Sequence, residues 1–171
     1  MENQLAQGGL FRFLIGCLQD IYNAEKKYVK TAAALSIAAF TEELRSDLLA
    51  QSHESEIHME RLEMVFKLLK EKPVEGQCKL IDVLSEKSAD IVKTVETCTA
   101  VRDAAIIYAV QLIVHYKIAC YGSLMALIGE VEDDSARLLL ERSLADEKKS
   151  DGYLTQLAIN VINPAAKKEC P

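Results

Sequence analysis

Two pairs of ionisable residues stand one helical turn apart in this chain, Glu54 with His58 and Glu147 with Asp151. A further carboxylate, Glu25, lies seven residues from both Leu18 and Ala32. Side chains four apart share a helix face, and those seven apart nearly so. Each pair also falls on an apolar row: Gln51, Glu54, His58, Leu62 and Val65 in one segment, Leu140, Leu144, Glu147, Asp151, Leu154 and Ala158 in another. Carboxylates and an imidazole gathered inside a core can hold a divalent ion, and an ion so held can supply oxygen or peroxide chemistry. A bare buried carboxylate is costly, so a metal, a cationic side chain or a proton must balance it. Two readings follow. One is iron or manganese held by Glu25, Glu54, His58, Glu147 and Asp151; the other is a metal-free polar core in which Lys117 or protonated His58 pairs with the carboxylates.

A dinuclear carboxylate centre in a helical bundle takes a Glu from each of two helices and Glu-x-x-His from the other two. Here the pairs read Glu-x-x-x-His and Glu-x-x-x-Asp, which are variants of that pattern. A fourth stripe, Ile107, Gln111, Val114, Ile118, Tyr121 and Met125, should complete the set, but Val114 stands at the turn where a carboxylate is needed. Lys117 follows three residues on, and a cation there opposes the bridging anions that two divalent ions demand.

The elements that must carry these residues are long helices. Seven Gly and three Pro in 171 residues leave few places to break the chain. Helical spacing predicts elements over 9–40, 41–71, 101–130 and 135–162, with a shorter, more polar one over 78–95. Thr41, followed by Glu42 and Glu43, reads as the N-cap of the second, and Pro73 stops it. Asn163-Pro164 is expected to end the last, leaving a frayed tail. The expectation is an all-α, ferritin-like four-helix bundle with a short additional crossover helix, five in all. It forms one domain over 1–171, with its ordered core at about 9–162.

A net charge of −6 argues against nucleic acid or an anionic membrane as a partner. Residues 104–128 are apolar enough to span a bilayer, but Lys117 near the middle would cost about 2.5–3.5 kcal/mol there, so a buried helix is the better reading. Five cysteines, an odd number, and a polar N-terminus without a leader predict a reducing cytosol. Cys17, Cys98 and Cys120 read as small core or near-core residues, and Cys170 as an exposed thiol in the tail. His53 reads as a partly exposed neighbour of the Glu54 pair, and His115 as a satisfied histidine near the core. Tyr22, Tyr28, Tyr116 and Tyr121 read as packing residues with satisfied hydroxyls. No phosphate loop, Ser-His-Asp arrangement or Cys-x-x-Cys pair is present.

Four segments carry a resemblance: DIYNAEKKYVKTAAAL (20–35), HESEIHMERLEMVFKLL (53–69), HYKIACYGSL (115–124) and DEKKSDGYLTQLA (146–158). In this order they resemble the bacterial ferritin-like stress-response family typified by YciE and YciF. The resemblance implies a five-helix ferritin-like subunit, a homodimer, a di-metal centre and no established reaction. By position, Glu25, Glu54, His58, Glu147 and Asp151 match the ligands it implies. Where the family tends to read V-E-H-Y-E, this chain reads Ile113-Val114-His115-Tyr116-Lys117, and Gln51 stands where many members have a histidine. With both acidic positions gone, the expected protein is a non-catalytic, metal-poor homodimer with a stress-related role, and no residue identifies a small-molecule substrate. The alternative is an iron or manganese protein performing peroxide or oxygen chemistry.

Overall fold

The structure, a computed structural model, describes residues 8–169; Cys170 lies outside them. Five helices dominate: α1 (Gly9–Ala38), α2 (Glu42–Leu68), α3 (Lys79–Thr94), α4 (Ala100–Gly129) and α5 (Asp134–Leu157), with no strand among the described residues. Hairpins α1–α2 and α4–α5 pack on each other through α2 against α5 and α1 against α4, while α3 crosses over α1 and α4. The chain is the all-α, five-helix, ferritin-like bundle that its sequence predicts.

Each long helix buries a seam with alternating steps of four and three residues. In α1 it is Leu14, Leu18, Ile21, Glu25, Tyr28, Ala32 and Leu35. In α2 it is Leu44, Leu48, Gln51, Ser55, His58, Leu62 and Val65. In α4 it runs Asp103, Ile107, Val110, Val114, Lys117, Tyr121, Leu124 and Ile128, and in α5 it includes Ala136, Leu140, Ser143, Glu147, Leu154 and Leu157. That repeat is the one coiled-coil-like packing requires. It also places Glu25, Ser55, His58, Lys117 and Glu147 at mid-length on four facing seams. Helix α4 is long and apolar enough to cross a membrane by length and composition. It packs against α1, α5 and the crossover α3.

The helix ends depart from expectation in instructive ways. Thr41 is the N-cap residue of α2 but its side chain caps nothing. Instead the buried carboxylate of Asp103 accepts from Phe40 N at 2.7 Å, Thr41 N at 2.8 Å and the Thr41 hydroxyl at 2.7 Å. One hairpin thus caps the other and satisfies its own buried charge. Asn163-Pro164 does not end the last helix. Helix α5 passes through a π-helical turn, Ala158–Ile162, into α6 (Asn163–Ala166), where Pro164 sits in the first turn. Nor does the tail fray there, since the Glu169 carboxylate accepts from Ala100 N at 2.7 Å and Val101 N at 3.2 Å at the start of α4. Cys98, expected near the core, is exposed in the turn before α4 at φ 59°.

Candidate functional site

At the centre of the bundle, Glu25, His58, Lys117 and Glu147 meet, each no more than 4% exposed. The Lys117 ammonium bridges the two carboxylates, 2.8 Å from Glu25 Oε2 and 2.6 Å from Glu147 Oε1. Its third donor reaches Ser55 Oγ at 3.1 Å, so every proton an ammonium carries has an acceptor. Beneath it lies the Tyr28 ring, 4.5 Å from Nζ to the centroid, an added cation–π attraction. Glu25 is as fully engaged. Its Oε2 also accepts from the Ser55 hydroxyl at 2.7 Å, and its Oε1 accepts from the Tyr121 hydroxyl at 2.8 Å. His58 Nδ1 stands 3.1 Å from Glu25 Oε1 and 3.1 Å from Glu147 Oε1, and its Nε2 stands 3.4 Å from Asp146 Oδ2 at the edge of the bundle.

Proximity reverses what burial would do to each group. Burial alone would raise Glu25; the Lys117 charge, with the hydrogen bond and charge of His58, brings it down to about 2. Burial alone would lower His58, but its hydrogen bonds to Glu147 and Glu25 push it up to about 9. Lys117 is likewise lowered by burial, and the charges of Glu147 and Glu25 more than offset that, so it stays a cation. At neutral pH the Glu25 carboxylate therefore faces one ammonium and one imidazolium, and Glu147 Oε1 stands against both cations. The cluster is closed and its formal charges cancel, the condition under which buried ions are tolerated.

The sequence-predicted residues divide. Glu25, His58 and Glu147 come together, offering ligand atoms within 4.8 Å of one another. Glu54 lies one residue off the α2 seam and bonds instead with Ser150, whose hydroxyl donates to Oε2 at 3.2 Å. Asp151 lies beside the α5 seam, where its Oδ1 is 3.2 Å from Gln111 Nε2 and 3.2 Å from His115 Nε2. His115 is at the surface, its side chain 63% exposed, not near the core. His53 is a surface neighbour, paired with Glu56. Gln51 is buried outside the cluster, accepting from the Tyr28 hydroxyl at 2.6 Å and donating to Asp47. Ser55 went unnoticed in the sequence. Its signal was there, since it stands on the four-and-three rhythm that runs from Leu48 to Leu62.

A dinuclear metal centre does not fit this donor set. Three ligand side chains converge where two ions need more bridging anions, Val114 supplies none, and an ammonium already sits between the two carboxylates. An ion at that point would meet the Lys117 charge at contact distance.

Known proteins agree with this architecture. Residues 10–167 match a domain of unknown function, DUF892. The chain is 33% identical to Protein YciF of Escherichia coli (strain K12) over 156 residues, which is 91% of this chain and 93% of that protein. The crystal structure of the E. coli stress protein YciF superposes with a TM-score of 0.87, covering 92% of this chain and 99% of that one. YcfI of Rhodopseudomonas palustris, described as a candidate structural protein, follows at 31% identity and a TM-score of 0.84, covering 89% and 96%. With its segments, its fold and its length all matched, this chain belongs to the DUF892 family, the YciE/YciF type.

Proposed function

We propose that Lys117 takes the place of a metal in this bundle, and that the protein is a non-catalytic, metal-independent member of its family. The carrying observation is the position of Lys117 Nζ, 2.8 Å and 2.6 Å from the carboxylates that would otherwise bridge an ion. The cluster then stabilises the bundle without turning over a substrate, and the role is structural or binding, in a stress response like that named for the E. coli relative. We further propose a homodimer in a reducing cytosol; the four described cysteines are all unpaired, which supports that compartment. The test is elemental analysis of protein purified without chelator. Iron and manganese well below one equivalent, with a melting temperature unmoved by chelator, are expected.

A second reading rests on the close approach of Glu25, His58 and Glu147. If Lys117 swung aside, those three could hold one iron or manganese ion. Near-stoichiometric metal that disappears in Glu147→Ala would establish this reading and overturn the first. Lys117→Glu should raise metal affinity by replacing the ammonium with an anion; no gain would mean that Lys117 does not govern the site.

A further inference from the structure

Away from the ionic cluster, a solvent-open cavity of about 920 Å³ lies between α1, the start of α3 and α4. Its walls are mainly apolar, and three thiols line it: Cys17 from α1, Cys78 at the N-cap of α3 and Cys120 from α4. Tyr116, one turn before Cys120, stands among them with its hydroxyl 3.1 Å from Cys78 Sγ. The same hydroxyl interacts electrostatically with the Cys120 thiol, so Cys78 and Cys120 both border one phenol. Cys78 is held there firmly. Gln19 binds both sides of the connecting segment, donating to Lys72 O at 2.9 Å and accepting from Val74 N at 2.7 Å, and Asn23 accepts from Gly76 N at 2.9 Å.

We propose that Cys78 and Cys120 form a redox pair, which a two-electron oxidant such as hydrogen peroxide converts to a disulfide joining the start of α3 to α4. Cys78 Sγ attacks the O–O bond, giving a sulfenic acid and one water. Cys120 Sγ then displaces the hydroxyl from that sulfur, forming the S–S bond and releasing a second water that carries off its proton. Two thiol hydrogens and two electrons thus reduce one peroxide, and a thiol reductant reverses the change. The apolar walls decide between this product and a soft-metal site. Burial, with the neighbouring thiols, pushes Cys120 up to about 11 and so disfavours a metal-bound thiolate there, whereas a disulfide is neutral. The same burial makes Cys120 slow to react, so the link answers sustained oxidant. Disulfides in a reducing compartment are commonly of this transient, sensing kind.

The full chain carrying Cys98→Ser and Cys170→Ser, which leaves only the three cavity thiols, would be treated with hydrogen peroxide, alkylated and mapped by peptide mass spectrometry. The expected result is a Cys78–Cys120 peptide pair lighter by two hydrogen atoms, abolished by either Cys78→Ser or Cys120→Ser and reversed by dithiothreitol. Closing the loop from 78 to 120 should also raise the melting temperature by roughly 5–10 °C. Tyr116→Phe, which removes the hydroxyl bound to Cys78 Sγ, should speed the linking. The proposal is overturned if the native protein yields no link while the denatured chain does, if Cys17 is the partner found, or if bound zinc or copper, rather than a disulfide, shields the thiols from alkylation.

Discussion

Helix α4 presents two i, i+4 pairs that differ by one residue in register, and they lead to opposite chemistry. Lys117 and Tyr121 point inward and meet Glu25, Glu147, Ser55 and His58, where each charge has a counter-charge and each donor an acceptor. Tyr116 and Cys120 point towards α1 and α3, where an open cavity holds thiols whose strongest polar partner is one phenol. The inward site has saturated its reactive groups against each other. The outward one has groups left to react. A rotation of about 100° on one helix separates a stabilising device from a reactive one.

The sharpest way to break this contrast is to remove the inward cation. Lys117→Met would leave two buried carboxylates facing a single imidazolium, and breaking such a set typically costs about 3–5 kcal/mol. The urea midpoint at pH 7 should fall accordingly, and Glu147→Gln in the same chain should recover much of the loss by removing the surplus anion. A loss under about 1 kcal/mol would mean that the cluster behaves like a surface ion pair.

Protonation supplies the second test, of smaller size. His58 is raised from an ordinary 6.5 to about 9, so its contribution is complete below pH 6.5 and disappears as pH climbs through 9. Glu25 is depressed from 4.5 to about 2, so its contribution is present above pH 4.5 and is lost as pH falls towards 2. Asp47, held up to about 6 by burial, titrates below the His58 window. The limb between pH 6.5 and 9 therefore belongs to His58, and stability along it should fall by on the order of 2–3 kcal/mol. Denaturant titrations at half-unit steps should show that slope in the wild type and a flatter one in His58→Gln. An equal slope in both would assign the limb to other groups.

How far the site was legible in the sequence follows from the seams. Long helices, scarce breakers and carboxylates inside apolar stripes were enough for the bundle, and Glu25, His58 and Glu147 were found because each sits on its seam. Glu54 and Asp151 share the apolar rows and the i, i+4 spacing of His58 and Glu147, but that spacing holds on any helix face and those rows are wider than the buried seam. The four-and-three rhythm distinguishes the buried face, and by it Ser55 precedes Glu54 as an inward residue. Lys117 was visible as an intruder, but that its ammonium would lie between two carboxylates depends on how the four seams come into level, which no one helix encodes. The thiol cavity was hidden for the same reason. Its cysteines lie in three separate elements, at 17, 78 and 120, and only the crossover of α3 brings them together.

The finest test compares the two tyrosines of α4 directly. The Tyr121 hydroxyl donates to an ionised, buried carboxylate at 2.8 Å, and hydrogen bonds to charged groups contribute about 1.5–3 kcal/mol. The Tyr116 hydroxyl has a thiol for its partner, a weak donor and acceptor, and its cavity is open to water. Tyr121→Phe should therefore cost about 2 kcal/mol and Tyr116→Phe less than about 1 kcal/mol, by denaturant unfolding under reducing conditions. The difference should also depend on pH in one direction only. As His58 loses its proton above pH 9, Glu25 gives up one of its donors and leans harder on Tyr121, so the penalty for Tyr121→Phe should grow while that for Tyr116→Phe stays level. Equal penalties at every pH would remove the distinction between the two faces of the helix.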